Sequence, residues 1–184
     1  MADAATWTLP LWSDAAQLAD AIDRRSADPE AIGKTPQEWF AHLRDQGRWL
    51  DAVRVVAHAL PRYHCIVWAT RTLIETGALD RADPAAIAAL RWIDDPRDDK
   101  RRAAAEHAGK LDDDSPGALL CQAIYLSGGS LAPEDLPPVQ PDPDVCARLA
   151  SGAVLVAAFA DGASDPQATL QTSFAIGDSL ARNG

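Results

Sequence analysis

SGGSLAPEDLPPVQPDPDVCARLASGAVLVAAFA, residues 127–160, decides the fold of this chain. Its second half, from Val145 to Ala160, carries a single charge, Arg148, and from Leu149 onward none. Val145, Leu149, Gly152, Val156 and Phe159 recur at helical spacing, while Val154, Leu155 and Ala158 fill the other faces. A helix that is apolar nearly all round is expected in the middle of a core. The uncharged run is too short for a membrane span, which needs about 20 residues. The first half holds prolines 133, 137, 138, 141 and 143 and cannot be helical; it is expected to cross the molecule in extended geometry and deliver the chain into the buried helix.

Outside this stretch one device repeats. A small polar residue precedes proline at Asp28-Pro29, Thr35-Pro36, Asp83-Pro84, Asp95-Pro96, Ser115-Pro116, Asp142-Pro143 and Asp165-Pro166. The polar side chain accepts orphan N–H groups of a first helical turn, and proline at the next position forfeits no hydrogen bond there. Most of these pairs therefore mark helix starts. Thr35 with Glu38 makes a capping box, and Ser13 is expected to cap a first helix from Asp14 to about residue 25. Pro61 breaks the apolar pattern of residues 50–73, because the residue before proline avoids helical geometry; residues 49–76 read as a helical hairpin with an abrupt corner. Asp98 to Arg102 reads as a solvated charged face of a helix opened by Asp95-Pro96. No strand-like alternation of useful length is present. The expectation is an all-α protein, one compact domain over residues 1–184 with about nine short helices around the buried helix at 145–160. Solenoid-like stacking of helical pairs is one arrangement of such a chain, although no fixed repeat period is visible. Residues 13–182 form the ordered core, 1–12 an extended N-terminal segment and 127–143 the crossing loop.

The totals narrow the function classes. The chain has 184 residues and a net charge of −10. Such a surface repels phosphate backbones and anionic membrane faces, so no nucleic acid and no membrane insertion are expected. The three cysteines, Cys65, Cys121 and Cys146, are widely spaced among apolar residues and suggest no disulfide framework. MADAATWTLPLW at the N-terminus has no basic region and no long apolar run, which points to a cytoplasmic protein.

Catalytic and metal motifs are not found. His42, His58, His64 and His107 lack the spacing of a helical zinc site, so no metal is expected. Ser127-Gly128-Gly129-Ser130 lacks the lysine and the preceding strand of a phosphate loop and reads as a helix end. No cofactor is expected either. Candidate partner contacts are the acids of the crossing loop, Glu134, Asp135 and Asp142, and the tryptophans Trp7 and Trp12 of the N-terminal segment, which either pack onto the body or wait for a partner. In the loop, Leu131, Leu136 and Val139 are expected to be packed down as plugs and the acids to face outward. The leading expectation is a non-enzymatic protein-binding module. The alternative is an enzyme with a polar site at the Pro61 corner, built from His58, Arg62 and His64.

Three blocks carry a resemblance. They are WLDAVRVVAHALPRYHCIVWA at 49–69, Arg101-Arg102-Ala103-Ala104-Ala105, and the stretch 127–160. In them the chain resembles an uncharacterised bacterial family of small all-helical proteins associated with type VI secretion gene clusters. Members often carry an acidic residue and two tryptophans in the first block, where this chain has His64 and Cys65 and retains Trp68. The resemblance implies an accessory role in a secretion apparatus, as adaptor or chaperone, and implies no catalytic residue.

Overall fold

A computed structural model describes residues 6–23, 28–133, 135–160 and 165–183. Among these residues there are nine α-helices, one 3-10 turn and no strand, so the chain is all-α as its sequence implies. In chain order they are α1 (Ala15–Ile22), the 3-10 turn Pro29–Ala31, α2 (Pro36–Asp45), α3 (Trp49–Ala59), α4 (Arg62–Glu75), α5 (Pro84–Asp94), α6 (Asp98–Ala108), α7 (Pro116–Tyr125), α8 (Val145–Phe159) and α9 (Pro166–Asn183). No described helix is long and apolar enough to cross a membrane.

The polar–proline device starts α2, α5, α7 and α9, each with proline as its first residue. The Thr35 hydroxyl accepts from the Glu38 N–H while the Glu38 carboxylate accepts from Thr35, a complete capping box. Two starts differ from expectation. Asp14, not Ser13, caps α1, accepting from the Ala16 N–H at 2.8 Å. Asp95-Pro96 does not open α6; that helix begins at Asp98, because the Asp95 carboxylate is taken by Lys100 at 2.8 Å and Arg97 at 2.7 Å. Both cations hold the Asp95 carboxyl below the usual carboxylate range, Lys100 most of all through its hydrogen bond.

α8 touches α3, α4, α7 and α9, and its most extensive packing is on α7. It is central, but it is not buried all round. The inward residues are Cys146, Ala150, Ser151, Ala153, Val154, Ala157 and Ala158. Val156 is 36% exposed and Phe159 55%. The expected core stripe therefore leaves the core along its length: Leu149 still packs partly on it, while Val156 and Phe159 lie on the outer side. Alanines on the inner side let four helices approach a common axis closely, and larger side chains at those positions would hold them apart.

Around α8 the core is joined by a few long-range polar contacts. Trp68 on α4 is fully buried, and its indole N–H donates to the Ser173 carbonyl of α9 at 2.9 Å. Gly177 of α9 presses against Val56 of α3. The extended segment 6–14 closes two helix ends. Thr8 and Leu9 donate to the Ala181 carbonyl at 2.8 and 3.0 Å, and Leu11 donates to the Ala59 carbonyl at 3.2 Å. Carbonyls in the last turn of α9 and α3 thus find partners that their own helices cannot supply.

The charged run at the start of α6 is solvated at Asp98 and Asp99 but turns inward at Arg101. Arg101 is 4% exposed. Its guanidinium donates to the Tyr125 and Ser130 carbonyls and to Asp98, and it lies over the Tyr125 ring at 4.9 Å. Arg102 donates to the Ser130 and Ala132 carbonyls at 3.0 and 3.2 Å. The two arginines grip the first turn of the crossing loop by its backbone. Inside the loop, Leu131 donates to the Val139 carbonyl at 2.8 Å and the Ser130 hydroxyl accepts from Val139 at 3.2 Å. Leu136 and Val139 are 55% and 53% exposed, and Leu131 is half-buried, so the expected apolar plugs are absent. Polar anchoring of the main chain replaces them.

Candidate functional site

The Pro61 corner forms as the sequence implies. Leu60 and Pro61 are extended, at φ −76°, ψ 142° and φ −54°, ψ 147°, and α4 restarts at Arg62. Beside the corner lies a cavity of about 140 Å³, lined by His58, Arg62, Cys65, Asp144, Cys146 and Trp12 among others. His58 is buried, and its Nδ1 donates to the Arg54 carbonyl at 2.8 Å. That bond fixes the proton on Nδ1 and leaves Nε2 with a free lone pair, buried without a protein partner. Burial depresses the His58 pKa below the usual imidazole value, against a smaller upward pull from the bond to Arg54. Arg62 donates to the Ser127 carbonyl at 3.1 Å, tying the corner to the start of the crossing loop. His64 does not line the cavity. Its ring sits edge-on to Tyr63 at 5.2 Å, and the Tyr63 hydroxyl donates to the Ile93 carbonyl of α5. The structure therefore gathers His58 and Arg62 and leaves His64 apart.

Two thiols join them. Cys65 is near the start of α4 and Cys146 near the start of α8, and both are buried. A hydrogen bond with the Cys146 thiol, then burial, push the Cys65 thiol well above the ordinary cysteine value. Cys121 stands elsewhere on α7, and burial pushes its pKa up to about 12. Spacing in the sequence could not reveal the Cys65–Cys146 pairing, since the partners are on helices that meet only in the folded chain. Among the described residues no three His, Cys, Asp or Glu side chains converge as metal ligands.

A second region lies on the outer side of α8. Leu149, Gly152, Val156 and Phe159 form one stripe, half-buried at its start and exposed at its end. Leu155 and Gly152 continue into a cavity of about 370 Å³ shared with Ile22, Arg54, His58 and Arg148. The periodicity of this stripe was visible in the sequence; its direction was not. The alanines at 150, 153 and 157 were the signal, since a small-residue face at helical spacing marks the side where neighbours come closest.

The residues that sequence reasoning offered as partner contacts are scattered. Glu134 lies outside the described residues. Asp135 is exposed. Asp142 accepts from the Asp144 N–H at 2.9 Å and pairs with Arg148 at 3.2 Å, so it shapes the entry to α8. Trp7 is buried against Phe40, ring centroids 5.2 Å apart, and donates through its indole to Asp178 at 2.8 Å. Trp12 is half-buried and donates to the His58 carbonyl at 3.1 Å. Both rings pack onto the body of the fold.

Residues 39–181 match a family of unknown function, DUF6931, and the chain belongs to that family. No curated protein and no solved structure matches it.

Proposed function

We propose that this DUF6931 protein is a non-enzymatic protein-binding module whose partner docks on the outer side of α8. One observation carries the reading. Phe159 and Val156, three positions apart on the central helix, present large apolar side chains at 55% and 36% exposure. Burying such surface against a partner is favourable by about 25 cal/mol per Å², and contiguous exposed apolar patches mark interaction sites more often than isolated residues do. The sequence resemblance adds the setting, an adaptor or chaperone role beside a secretion apparatus in the bacterial cytoplasm.

The test is a photo-reactive residue placed at position 156 or 159 in the cells that make the protein, with position 106 on the exposed side of α6 as control. The expected result is one cross-linked protein species, obtained from 156 and 159 and absent from 106, and identified by mass spectrometry as a secretion component. Equal labelling from all three positions, or none from 156 and 159, defeats the docking reading. A single specific partner unrelated to secretion keeps the docking and removes the setting.

A second reading rests on a different observation, the unpartnered Nε2 of His58 in the corner cavity. It is a small enzymatic site in which His58 serves as base and Arg62 as the cationic partner of an anion, without His64. Turnover that vanishes in His58→Asn while the fold persists is its test.

A further inference from the structure

We propose that Cys65 and Cys146 are a covalent modification site, a dithiol that a small peroxide converts into a disulfide bridging α4 and α8. The inference does not depend on what docks at the outer side of α8. Four features of the corner carry it. The thiols belong to two helices in direct contact and line one and the same cavity. Cys121 does not line it. The cavity, at about 140 Å³, has room for several molecules of water size, and a peroxide is little larger. It also contains an imidazole nitrogen with a free lone pair, His58 Nε2, and the guanidinium of Arg62.

The positions assign roles to the sulfurs. Cys146 is the second residue of α8, and its thiol is the hydrogen-bond partner of Cys65. Cys65 is kept as a thiol at neutral pH by its hydrogen bond with Cys146 and by burial. Cys146 is therefore the attacking sulfur and Cys65 the resolving one. The Cys146 thiolate attacks a peroxide oxygen, the O–O bond breaks, and a sulfenic acid and one water form, the water taking up a proton from solvent. The Cys65 sulfur then attacks the Cys146 sulfur, the S–O bond breaks, and a second water leaves. His58 Nε2 is the acceptor for the Cys65 proton, which passes on to the departing hydroxide. In sum two thiols are oxidised to one disulfide and hydrogen peroxide is reduced to two waters.

The experiment exposes the folded full-length protein to hydrogen peroxide, alkylates the remaining thiols under denaturing conditions, and maps the peptides. The expected product is an intramolecular Cys65–Cys146 linked peptide, with Cys121 fully alkylated. Cys146→Ala should lose the linked peptide and leave Cys65 unlinked. The same oxidation in denaturant should scatter linkage over all three cysteines, which shows that the fold selects the pair. Three outcomes overturn the proposal: both thiols still alkylatable after peroxide, linkage to Cys121 or between molecules as the main product, or oxidation of Cys65 and Cys146 to sulfinic acids without a link.

Discussion

The Arg101 guanidinium donates to the Ser130 carbonyl at 2.8 Å, so a cation from an apparently solvated run holds the start of the proline-rich crossing. Gly129 lies against the same guanidinium, at φ +67°, and a Cβ there would come within 2.9 Å of the Arg101 Nε. One side chain therefore links α6, the end of α7 and the loop.

Arg101→Ala should destabilise the protein by about 3 kcal/mol, since hydrogen bonds to a charged group contribute about 1.5–3 kcal/mol, the Tyr125 carbonyl loses its Arg101 donor and the Ser130 carbonyl is left with Arg102 alone. Arg101→Lys should recover only part of this, because an ammonium lacks the planar fork that reaches several acceptors. Urea denaturation of the three proteins checks the order.

Gly177→Ala should cost stability although alanine is the better helix former, a preference of about 1 kcal/mol. The added methyl would overlap Val56 and sit 3.3 Å from the Trp68 indole nitrogen. Overpacking of this kind costs about 1–3 kcal/mol. Val56→Ala in the same chain should make the added methyl less costly, and a double-mutant cycle measures that coupling.

Val154→Asp and Val156→Asp should separate the two sides of α8. Val154 is fully buried, and an unpaired carboxylate there would cost several kcal/mol and unfold the chain. Val156→Asp should melt within a few degrees of the wild type. Leu136→Ala in the loop should stay within about 0.5 kcal/mol of wild type, as surface substitutions do. Thermal melts followed by circular dichroism decide all three.

The pH dependence of stability should carry a mark of His58. Its pKa is lower in the folded chain than the usual 6.5, so below that value the unfolded chain binds the proton more readily. Its contribution is present above pH about 6.5 and is lost as the pH falls toward the folded value. His58→Asn should flatten the decline in melting temperature just below pH 6.5. Asp95 and Asp98 act in a different window. Their cations, Lys100 and Arg97 for the first and Arg102 and Arg101 for the second, depress both carboxyls, so their stabilisation holds above about pH 3.8 and fades only below it.

Much of the fold was legible in the chain because its signals are local. Thr35, Asp83, Ser115 and Asp165 announce helices within three residues of themselves, and Pro61 breaks α3 from α4 through its own ring. The helical class, the corner and the crossing loop follow from such short-range sterics and capping. Where several donors competed for one acceptor, local rules failed. Asp95 bonds Lys100 and Arg97 instead of capping a helix, and sequence does not rank those partners.

The site belongs to the other category. Helical periodicity states which residues share a face of α8, but not which face meets neighbours. Packing decided that in favour of Cys146, Ala150, Ala153 and Ala157, because four helices converge there and only small side chains let them close. That choice turned Val156 and Phe159 outward. It also brought Cys146 beside Cys65 from 81 positions away in the chain, within reach of His58. Arg101 was buried by the same kind of decision, since the loop it holds returns to it only after α7 is complete. Contacts of this range depend on how whole helices dock, and no residue carries that geometry in its immediate neighbours.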